Sequence, residues 1–138
     1  LLVNDLCKQA VQTHKLVTTR EMVLRSSGLQ RRNFIAMEDV SRAILHFLRL
    51  PVCDLEKISY NVGDFRNPPV WEMACLIQER CMAVLGFRPE LTRCTPKDSE
   101  QTSMLDFRCN RLRESGFEIS DKRDEEIDRL LKYCYAEF

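Results

Sequence analysis

Arg31-Arg32-Asn33-Phe34-Ile35-Ala36-Met37-Glu38-Asp39-Val40 is the stretch on which the reading of this chain turns. It leads from a short extended piece, Asn33–Met37, into an amphipathic helix predicted over Asp39–Arg49. Val40, Ala43, Ile44, Phe47 and Leu48 recur on one face at helical spacing. Glu38 and Asp39 suit the positive end of the helix dipole, and Pro51 ends the run. Working upstream, Ser26-Ser27-Gly28 reads as a turn and Glu21–Arg25 as a short strand. Before these, Val3, Leu6, Cys7, Ala10 and Val11 mark a first helix that fades near Thr13–Lys15. Working downstream, Ile58–Val62 is strand-like and Gly63 closes it. A helix over Pro68–Leu85 buries Val70, Met73, Ala74, Ile77, Cys81, Val84 and Leu85. Asn67 is its expected cap, Pro68 its first residue and Gly86 its stop. Leu91–Cys94 is a further strand. A short helix over Arg108–Ser115 stops at Gly116, and a last helix covers Lys122–Tyr135.

Helices alternate with single short strands, so the fold class is α/β and helix-rich. Each strand stands alone between helices with no hairpin partner nearby. Such strands normally complete a larger sheet whose other members lie elsewhere. The 138 residues therefore read as one unit, 1–138, that is part of a fold.

Composition narrows the function classes. Lys+Arg number 21 against Asp+Glu 21, a balance that argues against nucleic acid as a partner. No apolar run reaches the ~18–20 residues that span a bilayer, so no membrane partner is expected. Leu1–Cys7 is apolar but carries Asn4 and Asp5 and has no basic start, unlike a secretion signal. A cytoplasmic location is the default expectation. The seven cysteines include no C-x-x-C pair, and most of those in helical segments fall on or beside apolar stripes. Reduced, buried thiols are expected, and no metal site. With four glycines, at Gly28, Gly63, Gly86 and Gly116, neither a dinucleotide-binding loop nor a P-loop can be written. No Tyr-x-x-x-Lys, G-x-S-x-G or H-E-x-x-H occurs, and neither His14 nor His46 has a nucleophile beside it in sequence. No catalytic residue is assigned.

One ordered set of motifs remains. After Arg32-Asn33-Phe34-Ile35 and Glu38-Asp39-Val40 come Tyr60-Asn61-Val62-Gly63, then Glu72-Met73-Ala74 with Ile77. Leu105-Asp106, Leu112 and Gly116-Phe117 follow. In this order and spacing the chain resembles the C-terminal, substrate-binding half of the extended short-chain dehydrogenase/reductases. These are NAD-dependent nucleotide-sugar epimerases, dehydratases and reductases. Each motif alone is common; together, across essentially the whole chain, they point to the superfamily without choosing a reaction.

The resemblance implies a division of labour. The N-terminal, Rossmann-type half would hold NAD or NADP and carry the catalytic Tyr-x-x-x-Lys. It is absent here, so this chain alone is expected to bind no cofactor and to need that half, or an oligomeric partner. The implied ligand is a nucleoside-diphosphate sugar. The family arginine that contacts its diphosphate falls on Arg32, and a guanidinium fork suits two phosphate oxygens. An ion pair with Glu38 or Asp39 is the structural alternative for Arg32. Met22, Val23 and Leu24 match the strand along the base, with plain packing as the other use. Phe34 falls near the nucleoside position or in the core, and Asp98 where a ribose hydroxyl is bound. The family's second phosphate arginine is Thr95 here; Arg93 and Lys97 are the nearest basic residues. Asn33 replaces a usual Asp, and Pro69 a usual capping Ser. A non-catalytic interaction or scaffold module derived from the same fold is the rival expectation.

Overall fold

In the computed structural model, residues 2–16, 21–51, 59–96 and 105–138 are described. The chain runs α1 (Leu2–Leu16), β1 (Glu21–Leu24), α2 (Met37–Arg49), α3 (Val70–Leu85), β2 (Glu90–Arg93), α4 (Asn110–Glu114) and α5 (Arg123–Glu137). The two strands pair in parallel, with Glu21 opposite Glu90 and Leu24 opposite Arg93. A helix-rich α/β chain with a small open sheet is the result. No helix among the described residues is long and apolar enough to cross a membrane.

The larger core forms where α1, α3 and α5 pack on one another and on β1. Leu6, Cys7, Ala10 and Val11 come from α1, and Met73, Ala74, Ile77 and Cys81 from α3. Ile127, Leu131 and Cys134 come from α5, and Met22 enters from β1. For α1 and α3 these are residues of the helical face that the sequence spacing marks out. Fully burying one such side chain contributes about 1.5–3 kcal/mol. Arg80 on α3 grips Asp128 on α5 through two bonds, Nε–Oδ1 at 2.7 Å and Nη2–Oδ2 at 2.5 Å, which ties the two helices at their rim. A smaller core gathers Ala43 of α2, Cys109 and Leu112 around α4, and Phe117.

Chain stops follow local chemistry. Gly86 ends α3 in a left-handed conformation at φ 73°, its N–H bonded to the Met82 carbonyl. The start of α3 differs from expectation: Pro69, not Asn67, is the cap residue, and no side chain caps it. Instead the chain segment after β1 lies along the first turn. Val70 N–H donates to the Gln30 carbonyl at 2.9 Å and Trp71 N–H to that of Gly28 at 3.0 Å. These carbonyls satisfy amides that would otherwise lack partners at a helix start.

Two further expectations are corrected. Residues 33–36 are irregular and Met37 already belongs to α2, because α2 starts two residues early on the Ala36 carbonyl. Of the strand expected over 58–62, residue 58 lies outside the described residues and 59–62 are irregular. A strand exists only by pairing, and among the described residues 59–62 form no β-bridge; the Ser59 carbonyl accepts instead from Arg111 Nη1 at 3.2 Å.

Candidate functional site

Local turn geometry builds the site at the end of β1. Gly28 sits at φ +74°, and a Cβ there would come within 2.8 Å of Leu24 and 2.9 Å of Trp71. Only glycine lets the chain turn this close to α3. From Gly28 the backbone runs along the α3 start, with Arg31 bridged to Pro69 and Arg32 N–H donating to the Pro68 carbonyl at 3.1 Å. The strand register then brings Arg93, opposite Leu24, to the same turn. Arg93 thus meets the turn after β1 at Ser27 and the first turn of α3 at Trp71, while Arg32 meets the segment just before α3 at Pro68.

The three arginines there are used differently. Arg31 Nη1 donates to the Asn67 carbonyl at 2.8 Å. Arg93 Nη1 donates to the Ser27 carbonyl at 3.0 Å, and its guanidinium lies 4.2 Å above the Trp71 ring. Arg32 is exposed, and its guanidinium reaches only the neighbouring Arg31 carbonyl, at 3.2 Å, among the described residues. The ion pair weighed for Arg32 is not formed: Glu38 takes Lys122 at 2.8 Å, and Asp39 takes Arg42 and Ser120.

The remaining candidates separate. Met22 and Leu24 are buried in the protein, whereas Val23 is 42% exposed and its N–H donates to Gln9 Oε1 at 2.9 Å. Phe34 is half-buried against the larger core. It also lines an open groove of about 710 Å³ with Met37, Met73, Ile127 and Tyr133. Asp98 and Lys97 lie outside the described residues. His46 Nε2 is 3.0 Å from Ser115 Oγ, whose hydroxyl donates to the Leu112 carbonyl. The serine is therefore the acceptor in that pair and not a nucleophile activated by the imidazole.

Asn33 and Asp64, which sequence reasoning did not single out as structural, hold the site from beneath. Asn33 Nδ2 donates to the Asp64 carbonyl at 2.7 Å and to Asn67 Oδ1 at 2.8 Å, while its Oδ1 accepts from Asp64 N–H at 3.0 Å. Asp64 is buried and pairs with Arg123 and Arg66. Burial pushes its carboxyl up, but the Arg66 amide and the Arg123 guanidinium outweigh that and hold it below the ordinary value. Arg123 Nε is buried with no partner among the described residues. The aspartate usual in the family at position 33 would be an acceptor only, and could not donate to two carbonyls as the Asn33 amide does.

Thiols lie mostly in the helix interfaces. Cys7, Cys81 and Cys134 belong to the larger core, and burial pushes Cys81 up to about 12 and Cys7 higher. No group of metal-binding side chains occurs among the described residues. The glycine turn after β1 lies close against Leu24 and Trp71, and no helix starts directly from it.

No family model and no curated protein matches this sequence. Solved structures do match in shape. RMD from Pseudomonas aeruginosa, complexed with NADPH, superposes with a TM-score of 0.73 at 13% identity, over 100% of this chain and 43% of its own. The NAD-dependent NDP-hexosamine 5,6-dehydratase TunA gives 0.63 at 22% identity, over 100% and 40%. GDP-mannoheptose C4 reductase from Campylobacter jejuni, with NADP bound, gives 0.61 at 19%, over 97% and 42%. The chain spans less than half the length of each. Likeness at these identities shows the fold alone: a helix-rich α/β chain that superposes on less than half of each of these larger structures.

Proposed function

We propose that this chain is the substrate-binding portion of an NAD(P)-dependent enzyme acting on nucleoside-diphosphate sugars, with Arg32 as the main diphosphate contact. The dinucleotide and the catalytic residues then belong to an N-terminal half. One observation carries the reading. None of the three arginines beside α3 has a carboxylate partner among the described residues; Arg31 reaches across to the Asn67 carbonyl at 2.8 Å and Arg93 is held by Ser27 and Trp71, while the exposed Arg32 guanidinium makes only a 3.2 Å bond to the adjoining Arg31 carbonyl. A charge kept unpaired beside a pre-organised turn suits an anionic ligand. Neighbours named for NDP-hexosamine and GDP-mannoheptose support the substrate class.

The test is calorimetric titration of the longer protein, chain plus upstream half, with UDP, GDP and dTDP. Arg32→Ala should weaken binding by about 1.5–3 kcal/mol, the worth of a hydrogen bond to a charged group. Arg31→Ala should change affinity far less, since its guanidinium faces the Asn67 carbonyl. Equal losses for both, or none for either, would contradict the assignment.

A non-catalytic interaction module is the second reading, and Arg93 favours it. With Thr95 in the family's second arginine position and Arg93 held by Ser27 and Trp71, the diphosphate has one guanidinium on offer where the family has two. Absence of any nucleoside-diphosphate binding by the longer protein would select this reading.

A further inference from the structure

Beside the exposed Arg32, the whole amide of Asn33 is engaged with the protein. Nδ2 donates to the Asp64 carbonyl at 2.7 Å, to Asn67 Oδ1 at 2.8 Å and to the Arg66 carbonyl at 3.3 Å, and Oδ1 accepts from the Asp64 amide at 3.0 Å. Asn67 carries the chain of bonds onward, its Nδ2 donating to the Phe107 carbonyl at 3.1 Å. The fit is close, since a Cβ at Gly63 would overlap Asn33 Oδ1. On the other side, the Arg32 N–H donates to the Pro68 carbonyl at 3.1 Å and Arg31 Nη1 to that of Asn67 at 2.8 Å. The backbone of Arg32 is thus anchored before and after, on residues 64–68, while its guanidinium stays in solvent.

We propose that Asn33 is a positioning residue for Arg32: together with Asn67 it fixes the backbone from which the guanidinium reaches an anionic ligand, and it does not touch the ligand itself. The proposal rests on the reading above that Arg32 takes the diphosphate. A guanidinium pairs well with phosphate oxygens only when its fork is aligned, and its long side chain carries much rotamer freedom. No carboxylate among the described residues orients Arg32, so alignment has to come from the chain beneath it. An amide suits that task because it donates and accepts at once, and it brings no charge that would compete for the guanidinium. The anchored residues are 31–33, 64–68 and 107, and none of them belongs to the buried core of α1, α3, α5 and β1. Releasing the clamp therefore loosens the root of Arg32 and leaves that core in place.

The experiment is a double-mutant cycle in the longer protein, chain plus upstream half. It reads the dissociation constant for whichever of UDP, GDP and dTDP binds, at a temperature well below the melting midpoint of every variant. Asn33→Ala should weaken binding about tenfold in the native background, the scale of coupling within one network, and leave it unchanged in the Arg32→Ala background. Asn67→Ala, which removes the second member of the clamp, should give the same pattern with a smaller loss. It carries the cycle where Asn33→Ala does not fold. A purely structural role would move the melting midpoints and leave the affinity of the folded variants alone. Equal losses in both backgrounds overturn the proposal, because Asn33 then acts on the ligand other than through Arg32. Unchanged affinity for Asn33→Ala, or for Asn67→Ala where that variant stands in, overturns it as well. The two readings separate on Arg32. A loss for Arg32→Ala beside silent clamp variants keeps the substrate reading and removes the positioning role. A silent Arg32→Ala, or no nucleoside-diphosphate binding at all, removes both.

Discussion

Asp64 is one of two buried carboxylates among the described residues, with Asp39 the other. Asp64 is 5% exposed, and its carboxylate accepts from the Arg66 amide at 2.9 Å and pairs with Arg123 at the start of α5. Removing one partner of such a pair strands the other charge, which costs about 3–5 kcal/mol. Asp64→Asn should therefore lower unfolding free energy by that amount in urea titration; a change under about 1 kcal/mol would contradict the burial of the pair. Because its carboxyl is held below the ordinary 3.8, the unfolded state takes up the proton first as pH falls. The contribution is thus complete above pH 3.8 and is lost as pH drops through the lowered value. Thiols act at the opposite end. Cys81 is pushed from the ordinary 9.0 up to about 12, so above pH 9.0 the unfolded chain ionises while the folded one does not. Each such thiol should cost about 1.4 kcal/mol per pH unit between those values. Cys81→Ala or Cys7→Ala should flatten the alkaline slope of stability measured by denaturant midpoints. An unchanged slope in both would show that the thiols titrate freely in the folded protein. The buried thiols are legible as positions on or beside apolar stripes, whereas the role of Asp64 is not, since its partners depend on which elements meet.

Elements were legible where a local signal suffices. Gly86, Pro51 and Gly116 mark real ends, and the stripes of α1, α3 and α5 mark the faces buried. Asn67 shows where local reasoning stops. Its side chain suits a helix cap, yet Nδ2 donates to the Phe107 carbonyl at 3.1 Å while the Gly28–Arg32 backbone takes over the α3 start. Arg93 is a similar case: its place beside Ser27 follows from pairing Leu24 with Arg93, and nothing in either local sequence encodes that register. The stripe of α3 is filled by α1 and α5, whereas Ile44 and Leu48 on the stripe predicted for α2 are exposed. Gly28→Ala tests the junction between these elements. A side chain at φ +74°, meeting the Trp71 backbone nitrogen at 3.0 Å, must displace the turn that caps α3. It should cost about 1–3 kcal/mol and shift the fluorescence of Trp71, the chain's one tryptophan. A neutral substitution with unchanged emission would contradict the close approach of that turn to α3.

The molecule as a whole has one closed core and one open side. The α1, α3 and α5 core could hold the chain together, but net domain stability is only about 5–15 kcal/mol, and each aliphatic side chain left in water forgoes about 1.5–3 kcal/mol. Ile44, Leu45 and Leu48 together forgo a large share of that margin. The shape match to RMD covers 43% of that chain, and Ile44, Leu45 and Leu48 of α2 stand exposed in this one. Thermal unfolding of the chain alone, followed with anilinonaphthalene sulfonate and sedimentation at the same concentrations, tests this most directly. The account predicts dye binding before the transition, a broad and low midpoint, or self-association. A monodisperse monomer with a sharp, reversible transition and no dye binding would contradict it, and would make the chain a self-sufficient domain.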